Sequence, residues 1–200
     1  MIAVVDYEMG NLRSVQKALE SSGGKVTVTS DPKVIAKADA VVLPGVGAFG
    51  AAVSNLQERG LMDVLKQTIV KDKPFLGICL GLQLLFEESD EAPGIEGLNV
   101  IPGRVAAMKG QVKIPHMGWN QVGYEKKSPL FKGISEDSFF YFVHSFAVVP
   151  EQDQDTVGTT EYAGSFVSAV GKGNVFGVQF HPEKSQTKGL RLLKNFIRLI

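Results

Sequence analysis

Short apolar runs alternate with stretches of helical period through the first half of the chain. Ile2–Val5 is apolar at every position, as a strand covered on both faces requires. Gly10 and Asn11 open a segment in which Leu12, Val15 and Leu19 recur at helical spacing, and Gly23-Gly24 stop it. A second strand is predicted over residues 26–28, and Asp31-Pro32 caps a short helix ending near Lys37. Residues 40–43 form a third buried run, broken by Pro44-Gly45-Val46-Gly47. A helical stretch with a break at Gly60 follows. Residues 74–78 read as a fourth strand and residues 80–88 as the helix after it. This alternation predicts a parallel sheet with helices on both faces.

From residue 98 to 180 the pattern changes to short β-rich runs with frequent Gly and Pro and no helical period, which predicts antiparallel strands added to the sheet. Residues 187–200 return to helix, with Leu190, Leu193, Phe196, Ile197 and Ile200 on one face. No linker, repeat or low-complexity tract divides the chain, so residues 1–200 are expected to form a single domain.

Composition narrows the function. Basic and acidic residues are equal at 21 each among 200 residues, so no net charge draws the chain to nucleic acid or an anionic membrane. The N-terminal apolar run ends at Asp6, unlike a secretory leader, and residues 139–149 are too few to span a bilayer. One cysteine excludes an intramolecular disulfide, which suits a cytoplasmic protein. Three histidines and one cysteine at distant positions offer no metal-ligand spacing, and no phosphate-loop fingerprint is present. No metal or cofactor is expected.

That cysteine carries the chemistry. Gly77-Ile78-Cys79-Leu80-Gly81 sits where a buried strand meets a helix, the setting of a nucleophile elbow. The glycines make room for a sharp turn, a helix N-terminus favours thiolate, and the N–H of Leu80 is one oxyanion donor. Most lone cysteines are inert core residues, but one placed between two glycines directly after a buried strand is not typical of them. Of His116, His144 and His181, only the last has a carboxylate at a telling distance, in Gln179-Phe180-His181-Pro182-Glu183. Residues two apart on an extended chain face the same way, so Glu183 can orient the imidazole that activates Cys79.

These two segments resemble the signatures of the class I (triad) glutamine amidotransferases, and Pro44-Gly45-Val46-Gly47 resembles their oxyanion strand. Within the class, the segments 44–50, 84–89, 115–120 and 141–145 are most similar to the glutaminase subunits of imidazole glycerol phosphate synthases. The resemblance implies a flavodoxin-like α/β fold, a mostly parallel sheet with added antiparallel strands. It implies a Cys79–His181–Glu183 triad that hydrolyses glutamine through a glutamyl thioester, with Val46 and Leu80 giving oxyanion N–H groups. Gly47, Gln83 and Glu91 would hold glutamine, with Glu91 on its α-ammonium, and the backbone at Ser145 and Phe146 would take the α-carboxylate. Ammonia would pass to a (β/α)8-barrel cyclase subunit in a heterodimer, a step of histidine biosynthesis, with Asn11, Met117, Trp119, Tyr141 and Lys184 facing that partner. Without the family, Gln83 and Glu91 read as solvated positions, and Trp119 and Tyr141 as core or interface alike.

Two other assignments fit parts of the pattern. A glutaminase subunit of pyridoxal phosphate synthase has similar length and chemistry, but Pro115-His116-Met117-Gly118-Trp119-Asn120 and the His-Pro-Glu sequence speak against it. A non-catalytic flavodoxin-like binding module would leave Cys79 unlabelled by a glutamine-like chloroketone.

Overall fold

Strand β1 (Ile2–Val5) sends alternate side chains into two separate cores, Ala3 and Val5 into one and Ile2 and Val4 into the other. The computed structural model describes residues 1–124 and 128–200. Helix α1 (Leu12–Ser21), β2 (Val26–Thr29), α2 (Pro32–Lys37), β3 (Ala40–Gly45), α3 (Phe49–Glu58), α4 (Leu61–Val70), β4 (Phe75–Cys79) and α5 (Leu80–Gln83) make up the first half. The second half holds β5 (Glu88–Ser89), β6 (Gly103–Ala107), β7 (His116–Val122), β8 (Ser138–His144), β9 (Phe146–Pro150), β10 (Thr156–Glu161), β11 (Ser165–Lys172) and β12 (Val175–Val178), then α6 (Gln186–Ile197).

The main sheet runs β2-β1-β3-β4-β12-β11-β9-β6-β5, with β10 on β11. Pairing is parallel from β2 to β12 and antiparallel from β12 through β11 and β9 to β6. The α2–α4 side is packed by Ile35, Val53, Leu56 and Leu65, and the α1/α6 side by Leu19, Leu192, Leu193 and Phe196. A separate antiparallel ribbon pairs β7 with β8. The expected α/β architecture is therefore present, with its antiparallel addition.

Two boundaries and one helix face differ from the sequence reading. The helix expected over residues 80–88 is one turn, Leu80–Gln83. Leu82 to Phe86 are buried on every side, so no solvent face sustains a helix. The freed carbonyls of Leu84 and Leu85 accept instead from Leu98, Val100 and Ile101. Strand β3 also runs through Pro44 to Gly45, because β1 pairs with it only as far as Val42 and Pro44 has no ladder donor to lose. Finally, α6 presents Leu192, Leu193 and Phe196 inward, while Leu190 and Ile200 are exposed.

Candidate active site

Cys79 ends β4 at φ 55°, ψ −108°, a conformation that costs a residue with a Cβ about 1–3 kcal/mol. The surrounding glycines are there for space. A Cβ on Gly81 would overlap the Leu43 carbonyl oxygen, and one on Gly77 would overlap that of Gly81. Because α5 is a single turn, the expected macrodipole shrinks to the free N–H groups of that turn.

His181 follows β12, the neighbour of β4 in the sheet. Its Nδ1 lies 2.8 Å from Glu183 Oε1, and both side chains are almost wholly buried. The meeting does not come from an extended chain: Glu183 lies in a 3₁₀ turn, Pro182–Lys184, which brings the carboxylate back to the ring's Nδ1 edge. Burial is the largest single influence on His181 and disfavours the imidazolium. Cys79 and Glu183 together outweigh it and raise the group to about 9. The geometry at Nε2 is looser, since this buried atom makes no hydrogen bond of acceptable distance and angle. Cys79 therefore raises the ring first through a long hydrogen-bonding contact and then as a neighbouring charge, an arrangement common before substrate tightens a site.

Beside the sulfur lies a cleft of about 360 Å³, the size of a small-molecule site. Val46, Gly47, Cys79, Leu80, Gln83, Glu91, Ser145 and Phe146 all line it, so every residue assigned to the thiol, oxyanion or glutamine borders one space. Glu91 is no solvated loop residue: its Oε2 accepts the Phe49 N–H at 2.7 Å, closing the start of α3, which has no side-chain cap of its own.

The residues expected to face a partner lie elsewhere. Met117 and Trp119 are exposed on β7, and Trp119 is the cross-strand neighbour of Tyr141 on β8, with ring centroids 6.1 Å apart. Lys184 Nζ stands 5.6 Å from the Tyr141 ring centroid. Asn11 is exposed and caps α1, its Oδ1 accepting the Ser14 N–H.

Two groups at the site carried no assignment from sequence. Gln179 Nε2 lies 3.6 Å from Cys79 Sγ, and its place two residues before His181 was the available signal. Tyr7 is buried with its hydroxyl unpartnered and packed on Gly45, the register partner of Cys79. Burial and the charge of Cys79 push this phenol far up. Nothing local to Tyr7 announces that contact. Among the described residues no group of three or more His, Cys, Asp or Glu could hold a metal ion, and no helix is long and apolar enough to cross a membrane.

A family model described as glutamine amidotransferase class-I matches residues 3–199. The chain is 51% identical over 199 residues to the imidazole glycerol phosphate synthase subunit HisH of Moorella thermoacetica, covering 100% of this chain and 95% of that one. It is 54% identical over 196 residues to the protein of the same name from Aquifex aeolicus, covering 98% and 95%. Among solved structures, PurLQS from Thermotoga maritima superimposes with a TM-score of 0.78 at 20% identity, covering 99% of this chain and 97% of that one, which speaks to the fold alone. The chain belongs to the class-I glutamine amidotransferase family, in the branch of the imidazole glycerol phosphate synthase HisH subunits.

Proposed function

We propose that the chain, read as one amidotransferase domain, is a glutaminase in which Cys79, His181 and Glu183 release ammonia for a (β/α)8-barrel cyclase subunit. Glutamine enters the 360 Å³ cleft with its α-ammonium at Glu91 and its α-carboxylate on the backbone at Ser145 and Phe146. The Cys79 thiolate attacks the side-chain amide carbon. Backbone N–H groups of Val46 and Leu80 receive the oxyanion, each typically worth about 3 kcal/mol in the barrier. His181 gives its Nε2 proton to the departing ammonia and leaves a glutamyl thioester on Cys79. The neutral ring then takes a proton from water, which attacks the thioester, and collapse returns the thiolate. Glu183 holds the Nδ1 proton throughout.

The observation that carries this reading is a cysteine held at positive φ beside the cleft, with a buried carboxylate-held imidazole acting on its sulfur. The exposed Met117, Trp119 and Phe139 on the outer face of the β7–β8 ribbon offer the partner an apolar patch. The cyclase would use the ammonia to form imidazole glycerol phosphate and an aminoimidazole carboxamide ribotide. A lone reduced thiol fits a cytoplasmic setting.

The test is glutamate release by the chain mixed with the barrel subunit, with and without the barrel's phosphoribulosyl ligand. Release that is low for the chain alone and strongly stimulated by the loaded partner is expected, because Gly45 and Gly47 let the peptide at Val46 rotate cheaply. Full turnover by the isolated chain would refute the coupling. No labelling of Cys79 by a glutamine-like chloroketone, even in the complex, would refute the glutaminase itself.

A further inference from the structure

Two histidines outside the triad are buried together where β7 and β8 pair. His116 and His144 are cross-strand partners, and His116 Nδ1 lies 3.0 Å from His144 Nε2. His116 is stacked between Phe142 and Tyr162, with ring centroids 4.8 and 4.0 Å away.

The neighbours at each end settle where the protons are. The Phe146 carbonyl oxygen can only accept, so His144 donates to it from Nδ1 across 2.8 Å. A neutral His144 then presents a bare Nε2, and His116 must donate to it from Nδ1. That leaves His116 Nε2 to accept from the Asn120 amide, 3.2 Å away. Every proton has a place with both rings uncharged. Burial acts in the same sense, lowering both groups from the usual histidine value, His144 to about 4.

The line continues toward the sulfur. Phe146 O also accepts from Gln83 Nε2 at 3.3 Å, and that nitrogen reaches Gln179 Oε1 at 3.2 Å. With acceptors on both sides Gln83 must present its nitrogen, which leaves its own Oε1 without a hydrogen-bond partner among the described residues, on a residue that lines the cleft. Gln179, its Oε1 taken, must turn its nitrogen to Cys79 Sγ at 3.6 Å. At the far end Asn120 sits beside the exposed Trp119, so consecutive hydrogen bonds join the β7–β8 ribbon to the sulfur.

We propose that His116 and His144 are positioning residues for the glutaminase reaction: as a neutral pair they hold the Phe146 carbonyl and, through it, the Gln83 and Gln179 amides. The result is a carbonyl acceptor offered to the substrate and an N–H aimed at the nucleophile. The role rests on the glutaminase reading above.

Side-chain ¹⁵N NMR on the full chain at neutral pH tests the arrangement without reference to activity. Both rings are expected as neutral Nδ1–H tautomers, and an Nε2–H tautomer or an imidazolium at either would overturn it. Kinetics on the complex with the barrel subunit tests the consequence. His144→Leu should raise KM for glutamine about tenfold, the scale of one lost hydrogen bond, and slow chloroketone labelling of Cys79 by a similar factor. His144→Asn places an amide nitrogen near the lost Nδ1, still donates to Phe146 O, and should restore most of that loss. Equal impairment of the two variants, or none in the leucine variant, would overturn the role. If His144→Leu does not fold, His116→Phe keeps the stack, removes both nitrogens and is expected to raise KM likewise; an unchanged KM overturns the role. A wild-type complex that releases no glutamate would sink the glutaminase reading and this role with it, leaving the tautomer pattern to be judged by NMR.

Discussion

The parallel and antiparallel halves of this molecule bury their strands differently, and under the proposed function that difference divides chemistry from recognition. Strands β1, β3, β4 and β12 are buried at every position, whereas β7 and β8 alternate between buried and open side chains. The carboxyl ends of β3, β4 and β12 carry or lead directly to Val46, Cys79 and His181, at the edge where open α/β sheets place their ligands. A strained residue such as Cys79 persists only when its surroundings over-determine it, and two fully covered neighbours do that. The ribbon has one face free, so it can wall the cleft with His144 and meet another surface with Trp119. Under the proposed function, the fully covered strands β4 and β12 fix the sulfur and the imidazole, the loop after β3 leaves Val46 free to turn, and the ribbon's open side meets the partner.

The sharpest form of this comparison is a variant that kills chemistry and spares docking. Cys79→Ala should lower glutamate release by about 10⁴-fold or more, as loss of a nucleophile does elsewhere. Partner affinity by calorimetry and thermal stability should stay near wild type. A large loss of partner affinity would show that the elbow also shapes the docking face.

Glu183→Gln comes next, with an expected drop of about 10³- to 10⁴-fold in kcat/KM by analogy with carboxylate loss in serine triads. The pH profile carries more information. Cys79 and Glu183 raise His181 to about 9, so under the proposed mechanism the proton for departing ammonia is present through neutral pH and is lost as pH rises past that value. The substitution removes one of the groups that raise His181 while burial continues to lower it. The alkaline limb of kcat/KM should therefore move to lower pH. A limb that stays in place would mean Glu183 does not set the charge of the ring.

Legibility follows the same division. The parallel half could be read because continuous apolar runs report strands and the glycines around Cys79 report a turn that only small residues permit. The exception is residues 80–88, where an apolar run buried on all sides imitated a helix. The pairing of His181 with Glu183 could be read from spacing, although a 3₁₀ turn at Pro182–Lys184 rather than an extended chain brings the two together. The long-range contacts left no local trace. Tyr7 meets Gly45, and His116 meets His144 across a ribbon whose register no short motif records.

On the ribbon, Trp119→Ala should do the reverse of Cys79→Ala. Trp119 is 46% exposed, so truncation should change folding stability by no more than about 0.5 kcal/mol. Loss of an aromatic anchor should weaken partner binding by about 2 kcal/mol, roughly thirtyfold. Turnover by the saturated complex should be kept. If Kd does not move, the β7–β8 face is not where the partner sits.

Asn11 is the position best able to break the comparison, because it lies in the loop after β1, in the parallel half, yet is assigned to the partner face. Its Oδ1 already has work in accepting the Ser14 N–H at 3.3 Å, and Asn11→Ala should cost the cap, about 1 kcal/mol or some 2–4 °C in Tm. Asn11→Asp keeps an oxygen for Ser14 and should keep Tm. The two variants therefore separate capping from docking. A normal Tm with weakened partner binding in Asn11→Asp would extend the recognition surface onto the rigid half. Normal binding in both would confine recognition to the ribbon and leave Asn11 as the cap of α1.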